Sequence, residues 1–545
     1  MRAAEIRAGH WQLFGWCDIT ISGCPRWHHD YRHQADAPAS CDSSTLDHRN
    51  LSGGADARWI WEINRWAEPV VLAQNAWLNH ELSDARLAQE WISNWCDKNP
   101  AGKGVNWCSA LEAAIRLLNF CWVDALIRET CDRELIAAQN ELATRVAPVH
   151  AIWVWRHRSI GSSANNHLIG ELAALVMAAR RWPSLSRLAC CAERAWEQLL
   201  PEIEKQFARD GGNREQALHY HLFAWEFLLH ASRAMRAADD NVASKLERMA
   251  SFFLHVAHPA EGWDYGDSDD AQIVPLTSRR DDATGEWWRW LMGRDEEGAL
   301  AFWLGEPTDF RGGLDPKGWR LFSDSGIAVR RDGGWMARVD GSPLGFGSMA
   351  AHGHLDAMHL SLWHGDEAVV IDPGTGAYYG DEKLRVRLAS WEWHNGATPL
   401  RHRAQPRRVG PFLWTHHHDV PHLEIAGEEC RVSFACDGPL VRRTVKPVQA
   451  AWEIHDEVVT PLPHVVTWRL SPAWRLLSQS EGGFRFRHAN GKTARLRVAS
   501  DHLDEAGAGM NVVSPRFGDT RQAPTVRLVF RHHLVSRWEM LEQDG

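Results

Sequence analysis

The sequence predicts an α+β multidomain chain: a helical domain over residues 1–310, with an irregular N-terminal segment, followed by an antiparallel β domain over 311–545. Three observations predict it. Apolar residues recur at helical spacing through the first part, the period switches to alternation after EPTDFRGGLDPKGW (306–319), and Asn490-Gly491 separates two alternating runs as a hairpin turn would. Taken in order, residues 20–56 are rich in Pro, Ser, Asp and Gly and predict an irregular loop. From Ser109, Ala110, Leu111, Ala114, Ile115, Leu118 and Cys121 fall on one helical face, with Glu112 and Arg116 as an i, i+4 pair. The same period recurs over 167–182 and 217–235, and helix after helix implies helices packed on helices. Downstream, IAVRR and WMARVD flank a Gly-rich turn, MHLSLW and EAVVID follow, and FRFRH pairs with KTARLRVAS about the Asn-Gly turn.

Composition narrows the class. The 545 residues are 44% hydrophobic and 24% charged, ordinary for a globular chain and wrong for a disordered or coiled-coil one. Net charge is −10 with no basic block, which argues against a nucleic-acid partner. No apolar run reaches the roughly 18 residues of a membrane span, and MRAAEIRAGHWQLFGW lacks the pattern of a secretory signal. A soluble, cytoplasmic chain is the expectation, or a periplasmic or secreted one if a leader has been removed. The 11 cysteines show no C-x-x-C spacing and predict reduced thiols rather than a disulfide framework. Aromatics are lopsided: 31 Trp and 17 Phe against 5 Tyr.

Five segments crowd chemically capable side chains: SSANNHLIGE (162–171), NREQALHYH (213–221), WDYGDSDD (263–270), AHGHLDA (351–357) and IDPGTGAYYGDEK to EWHNG (371–396). His352 and His354, read on a strand, share a face about 6.5–7 Å apart. The H-x-H-x-D pattern lacks the following His of metallo-β-lactamase-type hydrolases, since Ala357 stands there, and no H-E-x-x-H occurs. His354, Asp372 and His394 would form an oxygen–nitrogen set suited to Zn²⁺ or a similar ion, or are three unrelated polar residues. Asn165, Asn166 and His167 open a helix, where an anion or an ordinary cap is favoured. Tyr220 lies mid-helix between two histidines, and every Tyr except Tyr31 falls inside one of the five segments. Asp264, Asp267, Asp269 and Asp270 lack EF-hand spacing and read as solvated or capping carboxylates. WTHHHD (414–419) reads as strand-and-loop surface.

Taken together, NNHLIGE, the EQALHYH helix, GDSDD, AHGHLDA, VVIDPGTGAYYGDEK and the later HN, with NPAGKGVNWCSALEAAIRLLNF upstream, resemble the heparinase II/III-like polysaccharide lyases. The resemblance runs from about residue 60 to 400 and is specific to the superfamily, not to a substrate. It implies an incomplete (α/α) toroid followed by an antiparallel β-sandwich, and β-elimination at a uronic acid. Asn166, with His167 beside it, matches the position that neutralises the uronate carboxylate. Tyr220 and His352 match the general acid and base, with Tyr220 as base for one C5 epimer. His354, Asp372 and His394 match the ligands of a structural divalent ion, Zn²⁺ first, with Mn²⁺ or Ca²⁺ as alternatives. Tyr379 is carried over from alginate-cleaving relatives. Arg116, Glu215 and Gln216 are candidate substrate contacts or interior helix-to-helix bonds, and Trp107 a candidate stacking platform. RHRS (156–159) and RHRAQPRR (401–408) could contact sulfate or carboxylate.

The resulting expectation is a lyase for an anionic polysaccharide, a glycosaminoglycan such as hyaluronan, chondroitin or a heparan-type chain, releasing 4,5-unsaturated products. The alternatives are an alginate or bacterial exopolysaccharide lyase and a catalytically silent carbohydrate-binding protein of the same fold. A glycosidase would need a pair of flanking carboxylates that only the acidic group at 264–270 offers.

Overall fold

The structure is a computed structural model that describes residues 2–541 except 162, 186–190, 237–239, 261, 308–313, 315–316, 401–405 and 436–438. The chain divides into two compact units. One comprises Met1–Gln206, Leu222–Leu246 and Asp270–Ala283; the other comprises Phe207–His221, Glu247–Asp269 and Thr284–Gly545.

The first unit is helical. Helix Ala110–Glu129 is buried almost all round because it packs against Ala67–Asn79, Arg133–Arg156 and Asn166–Arg181, the last of which also packs on Cys191–Gln206. Successive helical pairs of this kind form the incomplete (α/α) toroid. Helix Arg133–Arg156 starts where Asp132 accepts the Leu135 N–H at 2.9 Å, a cap worth about 1 kcal/mol. The predicted loop at 20–56 is irregular yet fixed: the buried Asp30 accepts backbone N–H groups of Arg32, His33 and Asp56, each at 2.9 Å. Tryptophan supplies bulk here. Trp66, Trp95 and Trp107 are fully buried, with Trp66 and Trp95 edge-to-face at 5.2 Å.

The second unit is dominated by antiparallel sheets. Helix gives way to strand between Leu304 and Trp319. Strands Trp319–Phe322, Ile327–Asp332, Trp335–Asp340, Leu360–His364 and Glu367–Val370 form a five-stranded meander. An eight-stranded and a four-stranded sheet follow, and Trp335, Trp452, Trp468 and Trp538 join all three in one apolar core, which makes the unit a sandwich. The Asn-Gly turn joins Gly483–His488 to Thr493–Ser500 as expected. Segments 207–221 and 247–269 cluster with these strands because buried Arg338 donates to the carbonyls of Val256 (3.3 Å) and Trp263 (2.6 Å). Every cysteine among the described residues is a free thiol. No helix among them is long and apolar enough to cross a membrane.

Candidate active site

His352 and His354 do not lie on a strand. They sit in the irregular stretch between strands Trp335–Asp340 and Leu360–His364, with His352 at φ 68°. The reason lies between them: a Cβ on Gly353 would stand 1.3 Å from the Leu344 carbonyl oxygen, so the loop closes on itself where only glycine fits. H-x-H spacing is compatible with a strand, but here a tight loop sends both rings to one acceptor.

That acceptor is Asp267, fully buried rather than solvated as its acidic neighbourhood suggested. Its Oδ2 lies 3.0 Å from His352 Nδ1 and its Oδ1 2.8 Å from His354 Nε2, while Arg385 NH2 donates to Oδ2 at 2.5 Å. Burial alone would raise the carboxyl's pKa. The Arg385 guanidinium and the two imidazole hydrogen bonds outweigh it and hold the group well below the carboxylate range. An ionised Asp267 only accepts, so both imidazoles donate to it. In the neutral form of each ring, this leaves Nε2 of His352 and Nδ1 of His354 as the acceptors.

The free Nδ1 of His354 converges with Asp372 and His394. One ligand atom from each lies within 4.8 Å of the others, and all three residues are buried. His354 Nδ1, Asp372 Oδ2 and His394 Nε2 have no hydrogen-bond partner, although Asp372 Oδ2 and His394 Nε2 are 3.2 Å apart. Buried polar atoms are rarely left unpaired, so three that converge fit a cation. Their other atoms are engaged as ligands' supports usually are: His394 Nδ1 donates to Ser390 O (2.9 Å) and Asp372 Oδ1 accepts the Gly374 N–H (2.9 Å). Gly374 holds this turn at φ 81°, and a Cβ there would meet the Ser514 carbonyl oxygen at 2.0 Å. Burial pushes His354 down to about 4, keeping it a neutral ligand. Burial would raise Asp372, but His394, His359 and His354 hold it below the ordinary range.

Tyr220 is in the first turn of helix Leu218–Met235 rather than its middle. Its ring lies 4.4 Å from that of His352, and its hydroxyl is 2.7 Å from that of Tyr378. Burial, then the neighbouring Tyr220, push the Tyr378 phenol well above its usual value. Glu215 Oε2 stands 3.6 Å from His352 Nε2. Gln216 is buried at φ 53°, and its amide donates to Ser325 O at 3.4 Å in the turn before strand Ile327–Asp332, which is not a helix-to-helix bond. Tyr379 is half-buried beside Phe412, with ring centroids 6.1 Å apart. The second unit thus gathers Glu215, Tyr220, His352, His354, Asp372 and His394.

The remaining candidates lie in the first unit. Asn166 opens helix Asn166–Arg181 and is buried, while Asn165 caps it by accepting the His167 N–H at 3.2 Å. Arg116 is 0% exposed and Trp107 2%, and both have interior partners. The Arg116 guanidinium stacks on Trp95 (4.5 Å) and Trp107 (5.4 Å) and donates to Asn106 O at 2.7 Å. It does not pair with Glu112, whose carboxylate is held by Arg65 at 2.8 and 2.6 Å. In RHRS, Arg158 stacks on Trp155 at 3.8 Å and Ser159 caps Glu171. Residues 401–405 of RHRAQPRR lie outside the described residues, and Arg408 is turned inward over Trp414 at 4.8 Å.

Sequence reasoning passed over Asp267, Arg385 and Tyr378 as site residues. The scarcity of tyrosine was a usable signal for Tyr378, and the GDSDD match for Asp267; Arg385 sits in the short helix Glu382–Leu388 with no distinguishing pattern.

Comparison with known proteins decides the family. Heparinase II/III N-terminus matches residues 29–262, and Heparinase II/III-like, C-terminal, matches residues 315–540. The chain belongs to the heparinase II/III-like family of polysaccharide lyases. No curated protein matches it. Among solved structures this lyase is similar to heparinase III at 15% identity, with 95% of this chain and 82% of that one covered and a TM-score of 0.68. It is also similar to the heparan sulfate lyase HepC from Pedobacter heparinus (15% identity, 100% and 83% covered, TM-score 0.59). The chondroitin AC lyase of Streptomyces coelicolor A3, solved with chondroitin sulphate, is 12% identical over 92% and 78%, at a TM-score of 0.54. At these identities the likeness is one of fold.

Proposed function

We propose that this lyase cleaves a uronate-containing glycosaminoglycan of the hyaluronan, chondroitin or heparan type by β-elimination. The observation that carries the reading is the pairing of Tyr220 with a His352 whose Nδ1–H is tied to a buried carboxylate, which leaves Nε2 as a proton acceptor. In this reaction His352 Nε2 takes the C5 proton, the electron pair forms the C4–C5 double bond, the C4–O4 bond breaks, and Tyr220 protonates the departing O4. For the opposite C5 epimer the proton lies on the other face, and Tyr220 serves as base. The Tyr220–Tyr378 hydrogen bond holds the phenol in place for either role.

Neutralisation of the uronate carboxylate is assigned to Asn166, with His167 beside it, on the motif and on their place in a helix's first turn, where backbone N–H groups and the dipole favour an anion. Glu215, within reach of His352 Nε2, and Tyr379 are assigned to substrate contact. His354, Asp372 and His394 would hold a divalent ion, Zn²⁺ on the chemistry of two imidazoles and one carboxylate, which would serve a structural role.

The test is a panel of hyaluronan, chondroitin sulfates, heparan sulfate and alginate, followed by the ultraviolet absorbance of the unsaturated uronate. A rise on one glycosaminoglycan that Tyr220→Phe abolishes is expected. A rise on alginate alone would replace the substrate class, and no rise on any uronate polymer, with or without Zn²⁺, would overturn the reading.

A further inference from the structure

We propose that Asp267 is a positioning residue shared by two sites, its one carboxylate setting the ring of the catalytic His352 through Oδ2 and the ring of the metal ligand His354 through Oδ1. This rests on the assignments of His352 as base and His354 as ligand made above. The geometry is specific. Asp267 holds His352 twice, by the side chain at 3.0 Å and by its own N–H to the His352 carbonyl at 3.1 Å. It holds His354 at 2.8 Å, and both histidines and the aspartate are buried.

A neutral imidazole carries its proton on one nitrogen or the other, and the acceptor it meets decides which. His352 needs its proton on Nδ1 if Nε2 is to act towards substrate. His354 needs its proton on Nε2 if Nδ1 is to face Asp372 and His394. The same carboxylate imposes both choices, from either side of Gly353, whose lack of a Cβ lets the loop bring the two rings to it. Arg385 keeps the carboxylate charged and fixed by donating to Oδ2, and anchors itself by donating from Nε to Pro411 O at 3.0 Å. A change at the ion site therefore reaches the base through one side chain, and binding couplings of this kind run in both directions.

The experiment uses the full chain with Co²⁺ as the probe, read by its visible absorption band and by titration, beside turnover on the glycosaminoglycan the wild type accepts. Asp267→Asn is expected to weaken Co²⁺ binding about 10–100-fold and to move the band, as loss of a ligand's outer partner does. At saturating Co²⁺ its kcat should fall about 100-fold with KM within about twofold of wild type, the size of a lost acid–base function. His352→Ala supplies the second variant and covers a misfolded Asp267→Asn: it removes no ligand, yet it frees one end of the carboxylate and should also move the band. Wild-type Co²⁺ affinity and an unmoved band in both variants would overturn the shared role, as would a wild type that binds no Co²⁺. Failure of the lyase reading shows separately, as a wild type inactive on every uronate polymer whose Co²⁺ band still moves in both variants.

Discussion

Two arginines buried to the same degree do opposite work. Arg116 in the helical unit and Arg385 in the strand unit are 0% and 1% exposed. Arg116 has ring faces, a carbonyl and His150 Nε2 (3.3 Å) around it, and no carboxylate among the described residues bonds to it; burial pushes it down to about 9. Arg385 donates to Asp267 while its guanidinium also lies 5.2 Å over the Tyr378 ring. The first is a cation absorbed into packing by cation–π contact. The second completes a charged network whose other members keep unpaired atoms. Burial and residue type did not separate them; what did was the partner, a buried carboxylate for Arg385 against ring faces and a carbonyl for Arg116.

The largest effect that would sharpen this contrast belongs to Arg385→Met. Stripping the guanidinium from a buried carboxylate should cost about 3–5 kcal/mol in urea unfolding. It should also lower kcat, and a variant with wild-type stability and turnover would erase the distinction. Arg116→Met comes next: a loss of about 1–2 kcal/mol from the cation–π and hydrogen-bond contacts, with kcat and KM of the folded enzyme unchanged. A raised KM at unchanged stability would instead return Arg116 to the substrate. Tyr378→Phe leaves the Tyr220 hydroxyl without its 2.7 Å neighbour and should cost about 1 kcal/mol, with a larger proportional loss in kcat than in thermal midpoint.

A pH-dependent effect on the helical side concerns a buried carboxyl that no arginine neutralises fully. Burial pushes Glu68 up to about 7, against a partial opposing pull from Arg2. Its folded pKa lies above the unfolded value of about 4.3, so the folded state binds the proton more tightly. Stability from this group is therefore present below about pH 4.3 and is lost as pH rises through 7. Glu68→Gln should flatten that fall by about 1–3 kcal/mol, measured as unfolding free energy between pH 5 and 8. An unchanged profile would place the charge on Glu68 at neutral pH.

Much of the fold was legible because periodicity reports burial. Helix Ala110–Glu129 and the hairpin about Asn490-Gly491 fall where their patterns put them. The site was legible as a set of segments and only in part as geometry. A spacing of two between His352 and His354 fits a strand as well as a folded loop, and only the approach of the Leu344 carbonyl decides between them. Asp267 sits among four acidic residues, so local charge predicted solvent where long-range partners 85 to 118 positions away make it interior. Arg116 and Arg385 look alike on paper because what distinguishes them is contributed by other parts of the chain.

The glycine between the two histidines carries a practical consequence for reading selection data. With its carbonyl neighbour in the way, any replacement at Gly353 must displace both rings at once. In a saturation scan scored by turnover, position 353 will look as intolerant as 352 and 354. A naive map would credit an atom-poor residue with chemistry, when what it contributes is the empty volume that lets the other two share a carboxylate.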